Sequence, residues 1–416
     1  MTTTEFPTST EQTLLPAGWR WVWLGDVCEI NPSRKDKTDF LDDMPVTFAP
    51  MSAVDDVTGL LVAPVEKRFS EVKKGYTWFI NGDVLWAKIT PCMENGKAFI
   101  ARDLANGVGF GSTEFHVLRP TEQIVSEWIW HFVRQESFRE LAAQYFTGAV
   151  GQQRVPESFL HERTIALPPL PEQRRIAARL NEIMAEIARA RAAAQAALDA
   201  AKTLPAALLS AVFESEGARK WRTQRLGDLY AVQLGKMLSP VSKTGRYYRP
   251  YLRNANIQWD RLDLSDIAQM DFDGEEFEKF KLRKGDLIVC EGGEVARCAI
   301  WNEEIKDCCY QKALHRVRPL NKDTEPQFLL YFLWYSAKRG DFADLETKST
   351  IAHLPAIRLK EIQIPNPDAS EQGELAAHLK SQMQQVNQLL QPVQAQLDAI
   401  NALPAAYLRR AFNGEL

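Results

Sequence analysis

The chain has 416 residues, 45% of them hydrophobic, and sets 50 Lys and Arg against 54 Asp and Glu for a net charge of −4. It is too long for one ordinary core and apolar enough for two, while its charge alone does not point to a nucleic-acid partner. No run of 18 or more apolar residues occurs and the start lacks the basic and apolar segments of a secretory signal, so a soluble, cytoplasmic chain without a membrane role is expected, its six irregularly spaced cysteines reduced.

In chain order, the segment WRWVWLGDV beginning at Trp19 returns at Trp221 as WRTQRLGDL, which sets Leu24, Gly25 and Asp26 against Leu226, Gly227 and Asp228 at an offset of 202. Gly82, Asp83 and Val84 match Gly285, Asp286 and Leu287 at 203, and Phe115, His116, Arg119 and Pro120 face Leu314, His315, Arg318 and Pro319 at 199. From Pro156 and Pro355 onward the offset stays at 199, through Glu172 and Gln173 with Glu371 and Gln372, to Phe213 with Phe412. A chain built from two like halves suits a partner that also comes in two related halves.

Residues 19 to about 168 predict many short strands, as in TWFINGDVLWAKI and TEFHVLRP, then a helical patch in SEWIWHFVRQESFRELAAQYF and a polar loop, TGAVGQQRVPES. Residues 219 to about 365 repeat the plan, with KGDLIVCEGG and HRVRP as strands, FLLYFLWYSAKRGDFADL as helix and TKSTIAHLP as loop. After each unit a long helix is expected. In the first, Ile176, Leu180, Ile183, Ile187, Ala190, Ala194, Ala197, Ala201 and Leu204 keep a 4,3 spacing that predicts a coiled-coil seam. Adding 199 gives Leu375, Leu379, Gln382, Val386, Leu389, Val393, Gln396, Ile400 and Leu403, the same register with two polar intrusions. A helix over 172–203 would be roughly 48 Å long, enough to hold two units apart. Pro392 should kink or break the second helix, and each helix is expected to stop at a Leu-Pro, leaving apolar ends (LPAALLSAVF, LPAAYLRRAF) to pack on the coil, on a partner or in an ordinary core.

Candidate reaction centres are weak. Pro91 and Cys92 with Glu94 and Asn95 imitate cytosine methyltransferase elements but lie nearly adjacent, without a glycine-rich cofactor loop. Asp56, Glu71 and Lys73 could imitate a metal-dependent nuclease, with plain charged surface as the other reading. Cys290, Cys298, Cys308, Cys309 and His315 contain no CxxC pair, so buried thiols compete with a zinc site. Local charge says more. Between Asp228 and Asp260 there is no acidic residue, while Lys236, Lys243, Arg246, Arg249 and Arg253 interleave with Tyr247, Tyr248 and Tyr251; this is either a nucleic-acid surface or a solvated loop.

Two units that each open on W…LGD and close on a loop, an LPPLPEQRRIAARL-like entry and a long helix resemble the specificity subunit of type I restriction-modification systems over nearly the whole chain. The second copy, IPNPDASEQGELAAHL, departs from the pattern by lacking Pro-Leu-Pro before Glu371 and by carrying Pro392. The resemblance implies an α+β fold: two similar mixed α/β target recognition domains, separated and joined by two long antiparallel coiled-coil helices in a pseudo-two-fold arrangement. The expected divisions are an N-terminal segment (1–18), a first recognition domain (19–168), a central helical region (169–216), a second recognition domain (219–366) and a C-terminal helical region (367–416).

The same resemblance implies a noncatalytic reader of double-stranded DNA that recognises a bipartite, asymmetric target. Two DNA adenine methyltransferase subunits would dock on the helices and restriction and translocase subunits would join them, with S-adenosylmethionine, ATP and magnesium on those partners and no cofactor in this chain. The rival is a stand-alone nuclease or methyltransferase with an unfamiliar centre. For the first half-site the candidate residues are Lys88, Asn95, Lys97, Gln152, Gln153 and Arg154. For the second they are Lys236, Lys243, Arg246, Tyr247, Arg249 and Arg253, with Asn254 and Asn256 as base readers and Lys348 and Ser349 in the matching loop. Lys and Arg would take phosphates, and amide side chains would pair with adenine.

Overall fold

The computed structural model describes residues 15–33, 40–149, 151–239, 244–343 and 353–416. The chain falls into two compact units, one made of Met1–Ala194 with Gln396–Leu416 and the other of Gln195–Ala395.

In chain order the first unit comprises β1 (Arg20–Trp23), α1 (Leu24–Val27), β2 (Cys28–Ile30), β3 (Pro45–Ala49), β4 (Val65–Arg68), α2 (Phe69–Val72), β5 (Thr77–Ile80) and β6 (Val84–Ala87). There follow β7 (Ala98–Ile100), β8 (Val108–Gly111), β9 (Phe115–Pro120), α3 (Ser126–Val133), α4 (Glu136–Ala143), α5 (Glu157–His161), β10 (Thr164–Leu167) and the start of α6 (Leu170–Phe213). Two four-stranded sheets form, in the orders β2-β9-β6-β7 and β4-β3-β8-β5, and β1 pairs with β10. All four residues of β6 are buried. Because side chains alternate across a strand, Val84 and Trp86 enter the core beneath α3 while Leu85 and Ala87 enter a second core with Phe79 and Phe99. Each such buried aliphatic side chain contributes roughly 1.5–3 kcal/mol.

The second unit repeats the plan with β11 (Thr223–Arg225), α7 (Leu226–Leu229), β12 (Tyr230–Leu234), β13 (Tyr248–Leu252), β14 (Ile257–Gln258), β15 (Arg261–Leu262), β16 (Ala268–Asp271), α8 (Gly274–Phe280) and β17 (Leu287–Cys290). It continues through β18 (Cys298–Ile300), β19 (Cys309–Tyr310), β20 (Leu314–Pro319), α9 (Pro326–Arg339), α10 (Ala356–Glu361), β21 (Gln363–Pro365) and the start of α11 (Ala369–Phe412). The sheet β12-β20-β17-β18 matches β2-β9-β6-β7. In the outer sheet β13 runs parallel to β19, as β3 does to β8. Leu287 and Val289 of β17 face one core, and Ile288 and Cys290 face another.

Both copies of LGD have one structural reason. A Cβ on Gly25 would lie 2.9 Å from His161 Nδ1, and one on Gly227 2.9 Å from Lys360 Cβ, so glycine lets α1 and α7 lie close against α5 and α10. The Gln of each Glu-Gln pair is fully buried and acts as a staple. Gln173 Oε1 accepts from the Val125 amide at 3.0 Å and its Nε2 donates to Gln123 O and Pro168 O, both at 2.9 Å. Gln372 repeats this on the Glu325 amide and the Pro367 carbonyl.

The long helices differ from expectation in three ways. They run through Pro205 and Pro404 to Phe213 and Phe412 instead of stopping at Leu-Pro, and α11 passes Pro392 unbroken. Pro392 has no N–H for the Gln388 carbonyl four residues earlier, and both residues are exposed. The apolar ends enter ordinary cores: Ile176 and Leu180 of α6 share the first unit's core with Leu408, Ala411 and Phe412 of α11, and Leu209 shares the second unit's core with Leu379 and Met383. The start of one helix thus meets the end of the other, an antiparallel pairing within each unit. Finally, the seam drifts from the strict heptad: Leu198 is buried instead of Ala197, and Met383 and Leu397 instead of Gln382 and Gln396. The buried side chains Ala376, Leu379, Met383, Val386 and Leu397 of α11 keep a 3,4 spacing that shares Leu379 and Val386 with the expected set and lies one residue away from it elsewhere, which leaves the polar intrusions outside the buried stripe.

Candidate nucleic-acid interface

Each unit has one node where a central strand ends and three segments meet. In the first, the Lys88 amide just after β6 donates to Glu114 O and the Val155 amide donates to Lys88 O, both at 2.9 Å. In the second, the Glu291 amide just after β17 donates to Ala313 O at 2.9 Å and the Leu354 amide to Glu291 O at 2.6 Å. A buried histidine latches each node. His116 Nε2 donates to Val155 O at 2.9 Å while Asn31 Nδ2 donates to its Nδ1 at 3.0 Å, and His315 Nε2 donates to Leu354 O at 2.8 Å. Burial pushes the His116 imidazole down to about 4 and His315 down as well, so both act as neutral pins near neutral pH.

From the first node a hairpin and a loop project together. The Thr90 amide donates to Gln153 O at 3.0 Å and Ile89 bridges to Arg154, so Lys88, Gln152, Gln153 and Arg154 share a neighbourhood. The hairpin carrying Asn95 is clamped by arginines from the helical layer. Arg139 donates to Glu94 O, and Arg134 donates to Gly96 O at 3.2 Å and to Val57 O at 2.6 Å while lying 4.9 Å above the Trp130 ring. Asn95 is left exposed between two tethered carbonyls. Lys88 is half-buried, and its ammonium makes no hydrogen bond among the described residues.

Two other candidates in this unit serve the fold. Lys97 turns away and donates to Met51 O and Val54 O, at 3.2 and 2.8 Å. Arg154 forms a two-pronged pair with Glu114, 2.7 Å on each prong, and this hydrogen bonding holds the Glu114 carboxyl below the usual carboxylate range.

In the second unit the basic stretch is shaped around one acid. Asp271 Oδ1 accepts from the Tyr247 amide at 2.7 Å, and its Oδ2 accepts from the Thr244 amide, the Thr244 hydroxyl and the Gly245 amide at 2.6, 2.7 and 3.0 Å. The loop so wrapped presents Arg246, Tyr247 and Tyr248 outward, the tyrosines 54% and 46% exposed. The neighbouring candidates are engaged by other side chains and backbone of the same unit. Lys236 donates to Glu276 and to Asp271 O, Arg249 covers the Phe277 ring at 4.9 Å, and Arg253 pairs with Asp266 at 2.7 Å. Asn256 is 3% exposed and staples its own turn through the Arg253 amide and the carbonyls of Asp263 and Asp266. Asn254 joins the node instead, donating to Gly292 O at 2.8 Å. Lys243, Lys348 and Ser349 lie outside the described residues.

A sequence profile of the type I restriction modification DNA specificity domain matches residues 16–194 and again 218–398. The chain belongs to this family. It is 37% identical over 207 residues to the EcoAI specificity subunit of a type I restriction enzyme from Escherichia coli, and 36% identical over 207 residues to the EcoEI specificity subunit from the same organism. Each match takes in 50% of this chain but only 35% and 34% of those relatives, about a third of their length. The EcoKI specificity subunit is 25% identical over 315 residues, which cover 72% of this chain and 68% of that one. Among solved structures, the HsdS subunit of Thermoanaerobacter tengcongensis aligns with a TM-score of 0.62 at 25% identity, over 97% of this chain and 98% of that one. A chain from work on complex assembly and conformational transition of the type I R-M system aligns with a TM-score of 0.79 at 25% identity, over 97% and 99%.

Among the described residues, side chains of the rival reaction centres have other partners. Glu71 caps the Arg68 amide at 2.8 Å and Lys73 pairs with Asp42 at 2.7 Å. Glu94, beside Cys92, accepts from the Thr90 hydroxyl. Cys290, Cys298, Cys308 and Cys309 are buried, and among the described residues no group of three His, Cys, Asp or Glu side chains could hold a metal.

Proposed function

We propose that this chain is the noncatalytic DNA-reading subunit of a cytoplasmic type I restriction-modification complex, each specificity domain taking one half of a bipartite, asymmetric target. The long helices are the docking surface for two DNA adenine methyltransferase subunits, and their length sets the gap between half-sites. Restriction and translocase subunits join that core, and S-adenosylmethionine, ATP and magnesium bind the partners. The observation that carries this reading is the pairing of one framework with two reading surfaces. Node, histidine latch, buried Asp-Arg pair (Asp83 with Arg119, Asp286 with Arg318) and glutamine staple recur in both domains, whereas the polar groups around them differ: half-buried Lys88 and exposed Asn95 in the first, half-buried Glu291, exposed Arg246 and the tyrosine pair in the second.

Incubated alone with DNA and either magnesium or S-adenosylmethionine, the purified chain is expected to neither cleave nor methylate; turnover independent of added subunits would establish the stand-alone enzyme instead. Arg246, the exposed cation on the Asp271-wrapped loop, is the phosphate contact of choice. In the assembled methylation complex, Arg246→Ala should weaken binding to all DNA sequences alike and lower the salt-dependence slope by about 1. An unchanged slope measured across a salt series removes that loop from the interface.

A further inference from the structure

We infer that Glu291 is a base-reading side chain of the second specificity domain, accepting a hydrogen bond in the major groove from the exocyclic amine of a cytosine. The inference rests on the reading that the polar strand ends face DNA. Glu291 occupies the node position that Lys88 occupies in the first domain, with the same two backbone hydrogen bonds, to 313 and 354 in place of 114 and 155. Its charge is opposite. Three other acids of this domain have partners within the protein: Asp266 pairs with Arg253, Glu276 with Lys236, and Glu294 with Arg297 while accepting from the Trp259 indole. The Glu291 carboxylate, half-buried, makes no side-chain hydrogen bond or ion pair among the described residues.

A carboxylate that no described residue pairs, on a surface that approaches phosphates, is repelled by them, so phosphate contact cannot be its role. It can be accommodated where an amine donor meets it, and in the major groove a carboxylate accepts from cytosine N4 whereas a lysine at the equivalent position donates to guanine O6 and N7. One node thus carries two complementary readers, and the two half-sites differ at that base.

The test is mapping of methylated adenines by the complete methylation complex carrying Glu291→Gln, Glu291→Lys, Lys88→Gln or no substitution, with thermal melting of each complex. Glu291→Gln, which keeps shape, should relax one position of the second half-site, reducing discrimination there roughly 5- to 150-fold, with the first half-site intact. Glu291→Lys should move the preference at that position away from cytosine. If Lys88→Gln relaxes the first half-site while both Glu291 variants melt normally and keep the full motif, the inference is overturned. If neither Lys88 nor Glu291 variants change any position, the strand ends do not face DNA and the reading beneath the inference fails with it. Should Glu291→Lys fail to assemble, the isosteric Gln variant decides alone.

Discussion

Arg119→Met should destabilise the first unit by about 3–5 kcal/mol, the cost of stranding a buried charge. Asp83 is 1% exposed, and Arg119 meets it with two parallel hydrogen bonds, Nε to Oδ1 and Nη2 to Oδ2, both 2.8 Å. The hydrogen-bonded carboxylate in turn raises the Arg119 guanidinium, which lies 4.8 Å above the Trp78 ring. With the cation gone, the carboxylate keeps, among the described residues, only the Ile80 amide, at 2.9 Å. For a unit of this size the loss corresponds to a fall in Tm on the order of 10 °C. Adding Asp83→Asn should recover part of it, because the double variant buries no charge. A single-variant loss below about 1 kcal/mol in chemical denaturation would show that water reaches Asp83. The second unit carries the same device, Arg318 on Asp286 at 2.6 and 2.7 Å, and the same cost is expected there.

Gln173→Leu is expected to cost roughly 3 kcal/mol or more, through backbone and not through lost apolar packing. Leucine fits the volume, but the Val125 amide and the carbonyls of Gln123 and Pro168 lose their common partner, and each buried orphan costs about 1–3 kcal/mol. Those groups tie the entry of α6 to the loop before α3, so the damage is local before it is global. Hydrogen exchange at the Val125 amide should accelerate in the variant under native conditions. Protection equal to wild type would mean that another acceptor replaces Gln173.

The duplication, the two mixed α/β units and the paired helices were all legible as spacing in the sequence, because a shared framework demands Gly25 and Gly227, Asp83 and Asp286, His116 and His315 at matching places. The heptad seam was legible in part: Leu180, Ile187, Ala194 and Ala201 are buried where the spacing puts them, but Leu198 takes the place of Ala197 and Met383 and Leu397 those of Gln382 and Gln396, a one-residue choice that packing decides. Site residues were legible in part. A lysine reads as a free cation until the fold delivers its partner, and Glu276 reaches Lys236 across 40 residues, as the Met51 and Val54 carbonyls reach Lys97 across 46 and 43. Asn256 resembled a base reader for the same reason: its three acceptors and donors come from turns whose closure composition does not reveal. Glu291 was within reach, since the offset of 203 that joins Gly82 to Gly285 also joins Lys88 to it.

The ends of α11 and the first domain share a core: the Phe412 ring lies 4.3 Å from that of Trp128, and Arg175 donates to Leu416 O at 2.7 Å. During synthesis this reverses the usual order of completion. Every residue of the second unit has been made before the first unit receives the apolar side chains that close it, so the domain translated first matures last. Until then the aromatic side chains Trp128 and Phe132 lack their Phe412 partner, and removal of the last residues from the finished protein should expose them again.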